Sequence, residues 1–178
     1  DMTNEEYHAH ADALSASGTK TIAFDDLATF KYAERKESAA FDVGTATHTL
    51  VLQPELSDTI WMGAADRRGL AWKKTKLEAE EAGALLLTEG DYLLAHDMAE
   101  AVRANKAAAE LLSGDLVCEA SVFAKHERTG IEIRCRPDGW RRDIGALIDL
   151  KTTITSDPSG FAKQCANFGY HVQDQHYR

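Results

Sequence analysis

Arg136-Pro137-Asp138-Gly139 and, further on, Ile148-Asp149-Leu150-Lys151 decide the reading of this chain. They place two carboxylates and a lysine at the ends of short apolar runs. Cys118 to Lys125 and Ile131 to Arg136 show partial alternation around His126-Glu127-Arg128-Thr129-Gly130, which predicts a hairpin. Ala146-Leu147-Ile148 then leads into Asp149-Leu150-Lys151, so Asp149 and Lys151 are expected on one face of a third strand. A hairpin feeding that strand would bring Asp138 to the pair. Two converging carboxylates repel unless a cation separates them, and an oxygen-rich site suits magnesium, with manganese able to substitute. With a lysine beside it, such a site holds the parts for metal-assisted hydrolysis of a phosphodiester.

At these residues the sequence resembles the PD-(D/E)xK nuclease superfamily, written as Pro137-Asp138 followed by Asp149-Leu150-Lys151. Asp-x-Lys alone is a weak signal. Two further segments accompany it. Gly44-Thr45-Ala46-Thr47-His48, on a helical stretch, is similar to the G-x-x-x-H segment of RecB-type nucleases, and Gln173-Asp174-Gln175-His176-Tyr177 is similar to their Q-x-x-x-Y helix. The order histidine, aspartate, aspartate-x-lysine, glutamine-tyrosine then sharpens the resemblance to the RecE-type exonucleases. Asn4-Glu5-Glu6-Tyr7-His8, Arg134 to Asp138, Asp149 to Thr153 and Tyr170 to Asp174 extend it along the chain.

The resemblance implies a restriction-endonuclease-like α/β core, with a central mixed sheet flanked by helices and His48 brought in from one side. It implies metal ligands at His48, Asp138, Asp149 and the Leu150 carbonyl, and a Lys151 that orients or deprotonates the attacking water. Gln173 and Tyr177 would position the scissile phosphate or the terminal nucleotide. Glu119 would open a strand near the active site. Activity would be magnesium-dependent digestion of linear duplex DNA, 5′ to 3′, by a ring-shaped homo-oligomer, a tetramer by resemblance, working with a single-strand annealing protein. An endonuclease or repair nuclease on the same fold, and a non-catalytic DNA-binding relative, are the alternatives. The family's domain continues beyond the Q-x-x-x-Y helix, so one nuclease domain over 1–178, truncated at its C-terminal end, is the expectation.

Composition agrees with a chain able to bury a core: 178 residues, 44% hydrophobic. No run approaches membrane-spanning length and the start lacks signal-peptide character, which makes the cytoplasm the default and a membrane partner unexpected. Cys118, Cys135 and Cys165 lack zinc spacing and are one short of the four ligands of an iron-sulfur cluster, so reduced thiols are expected. A net charge of −9 argues against a DNA-coating protein. Positive charge is nonetheless clustered. Arg67, Arg68, Lys73 and Lys74 flank Trp72, where they suit phosphates and an unpaired base, and Arg134, Arg136, Arg141 and Arg142 surround Asp138. Arg136 joins the first group as a DNA-contact candidate. For any single lysine of the 72–82 helix, a solvated face is the plainer reading.

Hydrophobic spacing predicts helices over Glu5–Leu14, Phe24–Arg35, Ser38–Leu52, Trp72–Ala82, Thr88 to about Lys106 with a helical continuation over Ala107–Leu112, Phe161–Phe168 and Tyr170–Arg178, and a small strand at Leu85–Leu87. Phe24, Leu27, Phe41, Ala46, Leu50, Val51, Leu93, Leu94 and Met98 are expected to face inward. Gln173 and Tyr177, four apart, share a helix face.

Overall fold

The computed structural model describes residues 2–33 and 39–178, so Arg35 and Ser38, the expected ends of two helices, lie outside the described residues. Along the chain run α1 (Asn4–Ala9), β1 (Leu14–Ser15), α2 (Ala16–Phe24), α3 (Leu27–Tyr32), α4 (Ala39–Leu52), a 3-10 turn (Pro54–Thr59), β2 (Ile60–Met62), α5 (Leu70–Ala82), β3 (Leu85–Leu87), α6 (Glu89–Ala104) and α7 (Lys106–Leu111). There follow β4 (Leu116–Cys118), β5 (Val122–Lys125), β6 (Glu132–Cys135), β7 (Gly139–Arg141), β8 (Ala146–Ile148), α8 (Pro158–Asn167) and α9 (Tyr170–Tyr177). They form two compact units. The first takes Asp1–Arg35, Glu119–Pro137 and Thr153–Arg178; the second takes Lys36–Cys118 and Asp138–Thr152.

In the first unit, β5 and β6 form the expected hairpin, paired Val122 with Cys135 through Lys125 with Glu132. The short β1 adds to β6 in parallel. Ser15 caps α2, its hydroxyl accepting from Gly18 N at 3.2 Å. That helix escaped sequence reading because Gly18 and two threonines dilute its apolar face. Gly18 is required by packing: a Cβ there would lie 2.7 Å from the Phe30 ring. Phe24 and Leu27, expected inward, are exposed.

The second unit is built on α4 and α6, which meet through small side chains. Ala46, Ala95 and Ala99 are buried together with Val43, Leu50, Ile60 and Leu87. Because alanines line that contact, Leu93 and Leu94 fall on the outer flanks and are exposed, as is Phe41. Thr88 caps α6 by accepting from Asp91 N at 3.2 Å. Asn105 ends that helix in an extended conformation and caps α7 through Ala107 N and Ala108 N, so the expected continuation is a separate helix. β2 and β3 pair in parallel beside this core.

Instead of one central sheet, the described strands form three small ones, ordered β1-β6-β5, β2-β3 and β4-β7-β8. The run Cys118 to Lys125 is divided between two of them. At Glu119 the backbone turns left-handed, φ 54°, so β4 ends before β5 begins. A second hairpin, β7–β8, pairs Gly139 with Ile148 and Arg141 with Ala146 around a turn in which Gly145 has φ 63°. β4 joins its other side, Cys118 opposite Gly139.

Gly139 sits between those neighbours with no room to spare: a Cβ would lie 2.9 Å from Leu116 Cδ1 and 3.4 Å from Ile148 Cβ. Gly139→Val is therefore expected to lower unfolding stability by about 1–3 kcal/mol, the usual cost of overpacking. Chemical denaturation measures this, and an unchanged midpoint would contradict the strand packing.

Candidate metal centre

The β7–β8 register builds the site. Gly139 pairs with Ile148, so Asp138 and Asp149 each follow one residue beyond the paired end, near enough for the Asp149 charge to act on Asp138. Neither aspartate lies inside a strand; both stand just beyond the paired ends, and so does Lys151, which corrects the expectation of a common strand face. Leu150 joins through its N–H, which donates to Asp138 Oδ2 at 2.5 Å. Its carbonyl was the group enlisted from the sequence. Lys151 Nζ is ion-paired with Asp149 Oδ2.

His48 reaches the same place from α4, with Nδ1 3.6 Å from Asp138 Oδ2. The helix is anchored by buried Val43, Ala46, Thr47 and Leu50, and Thr47 Oγ1 donates to Val43 O at 2.8 Å. One turn before His48 comes Gly44, where a Cβ would lie 3.3 Å from Thr152 Oγ1. The spacing of the Gly44-x-x-x-His48 segment thus has a physical meaning: the glycine lets α4 approach the segment after Lys151, and the histidine one turn later meets Asp138. Thr152 was noticed in the sequence only as part of a matched segment.

Burial pushes the Asp138 carboxyl above the usual carboxylate range; the Asp149 charge adds to this, while His48, Lys151 and the Leu150 N–H oppose it. An imidazole and two carboxylates, one of them disfavoured in its ionised form, are a donor set that suits a hard or borderline divalent cation. A cation bound between them would remove the penalty that burial and like charge impose on Asp138.

The other candidate residues belong to the first unit. Gln173 Nε2 donates to Tyr177 Oη at 3.0 Å, and Tyr177 Oη donates to Arg136 O at 3.3 Å, so the two do share a helix face. Arg136 is held inside the protein: its guanidinium lies over the Tyr7 ring, donates from Nε to Ser121 Oγ at 3.0 Å and from an Nη to Met2 O at 2.5 Å, and stands 4.0 Å from Glu119. Arg134, stacked on the same ring, is buried.

Of the clustered basic residues in the second unit, Arg67 bridges Asp42 of α4 and Asp91 of α6 at 3.7 and 3.3 Å, and covers the Trp72 ring. Trp72 is buried, which corrects the expectation of an aromatic offered to an unpaired base. Arg68 pairs with Asp66 and Lys74 with Glu78, while Lys73 is exposed on α5. Arg141 and Arg142 pair with Asp143 and Asp115. Sequence clustering missed these carboxylates because Asp42, Asp91 and Asp115 are remote along the chain.

A raised Asp138 pKa means that the folded protein holds this proton more tightly than the unfolded chain. The stabilisation is complete below the ordinary aspartate range and is lost as pH rises through the raised value, so ionised Asp138 is a cost at neutral pH without metal. Asp138→Asn keeps an acceptor for the Leu150 N–H and removes the charge. It is expected to raise the metal-free melting temperature at pH 7 by a few degrees, since about 1 kcal/mol moves Tm by ~2–4 °C at this size, with the gain shrinking toward pH 4. A gain that grows on acidification would contradict the assignment.

No curated protein matches the chain. A family model does, over residues 20–178: a PDDEXK-like domain of unknown function (DUF3799). That span includes His48, Asp138, Asp149, Lys151, Gln173 and Tyr177. The match covers most of the chain, and the chain belongs to the PDDEXK-like DUF3799 family.

Proposed function

We propose that this protein is a divalent-metal-dependent DNA exonuclease acting on linear duplex ends. The observation that carries the reading is His48 3.6 Å from Asp138, beside the Lys151–Asp149 ion pair just past the paired end of the β7–β8 hairpin. Membership of a PDDEXK-like family supports nuclease chemistry, and the resemblance to RecE-type enzymes supports duplex ends, 5′ to 3′ direction and 3′ single-stranded tails for annealing.

Asp138, Asp149 and His48 would hold magnesium, or manganese in its place. The bound cation supplies Lewis acidity, making hydroxide available near neutral pH and offsetting charge on the phosphate. Asp138 gives it a carboxylate already oriented by the Leu150 N–H. Lys151, in contact with Asp149, would orient the attacking water and balance charge developing on the phosphate oxygens. Gln173 and Tyr177, already hydrogen-bonded to each other, hold the DNA. Among the basic residues, exposed Lys73 and Arg68 are the better placed to meet phosphates, because Arg67 and Arg136 are engaged internally. A ring-shaped oligomer and a strand-annealing partner complete the reading by resemblance. Among the described residues, no helix is long and apolar enough to cross a membrane.

Purified protein with magnesium should release nucleotides from linear duplex and leave closed circular duplex intact. Asp149→Ala should abolish release with melting unimpaired. Lys151→Ala should lower turnover about 100-fold or more, the scale of a lost general acid-base or charge-stabilising group, with metal affinity little changed by calorimetry. Cutting of the closed circle would establish an endonuclease, and metal-independent binding without cleavage would establish a non-catalytic relative.

A further inference from the structure

We propose that Lys20, on α2, is a DNA-phosphate contact that works with Gln173 and Tyr177 of α9. The proposal rests on the nuclease reading and extends it to a residue outside every motif considered above. Gly169 brings the two helices together. It has φ 62°, and a Cβ on it would lie 2.3 Å from the Phe24 ring and 3.2 Å from Lys20 Cδ, so only glycine admits this approach. The Lys20 stem therefore packs against the start of α9, and its ammonium reaches along that helix.

There it stands 3.4 Å from Gln173 Oε1 and 6.0 Å from the centre of the Tyr170 ring. Gln173 turns its amide nitrogen the other way, to Tyr177 Oη. The result is a row of ammonium, amide and phenol from two helices, with Lys20, Gln173 and Tyr177 all partly buried and partly open. The Lys20–Gln173 separation is at the limit of a hydrogen bond. Gln173 and Tyr177 are neutral and can orient a phosphate without offsetting its charge, which an ammonium does.

His176, on the same helix, is committed to the scaffold: Nδ1 is 3.1 Å from Thr19 Oγ1 and Nε2 is 3.0 Å from Arg134 O. It locks the register of α9 against α2 and so fixes the height of Lys20 relative to Gln173.

The test measures binding of a blunt duplex in magnesium as a function of salt, in an Asp149→Ala background so that nothing is cleaved. Lys20→Met keeps the packed stem and removes the charge. It should lower the slope of log affinity against log salt by about one unit, as loss of one phosphate contact does, while Lys20→Arg should hold the parent slope. An unchanged slope in a cooperatively melting Lys20→Met variant would overturn the proposal. If that variant does not fold, acetylation of the parent decides: protection of Lys20 by duplex supports the contact, and equal modification with and without duplex refutes it. A parent that binds no duplex at all would instead remove the nuclease reading on which the proposal stands.

Discussion

A carboxylate drawn below the surface beside a second carboxylate is unstable as an anion, and that tension is concentrated at Asp138. The β7–β8 register, with glycine at its tight point, leaves the two acids just beyond its paired end. Burial then holds the Asp138 proton above its ordinary range. Such a site gains from a cation in two ways at once, through ligation and through relief of a cost already present in the fold. Helix α4 brings His48 to Asp138 because its Gly44 face can approach Thr152, and the helix itself is fixed by the alanine-lined contact with α6.

Candidate residues were more legible in the sequence than the architecture. Residue types at fixed spacing singled out His48, Asp138, Asp149 and Lys151, and the fold sets His48 beside Asp138 and Lys151 beside Asp149. Local signals also gave the β5–β6 hairpin, with its Thr129-Gly130 turn, and the capped start of α6 at Thr88. What joined the two aspartates was not the expected strand. The alternation of Cys118 to Lys125 reads as one element, yet a left-handed Glu119 divides it between two sheets, and no local pattern marks a glutamate for that conformation.

Long-range pairing was the other hidden layer. Clustered arginines in a sequence read as a phosphate-binding surface, but Arg67 is spanned between Asp42 and Asp91, and Arg136 is folded onto Tyr7, Ser121 and a backbone carbonyl. An acidic chain offers many such partners. The same limitation concealed Lys20, whose contact with Gln173 spans most of the chain and depends on a single glycine between two helices.

We propose that Asp138, Asp149 and His48 share one divalent cation. Anomalous diffraction from a manganese-soaked crystal tests it most directly, because the ion reports its own position. The account predicts one strong peak within coordination distance, roughly 2.0–2.3 Å, of an Asp138 oxygen, an Asp149 oxygen and a His48 ring nitrogen. Manganese bound elsewhere with these three side chains unengaged would contradict it.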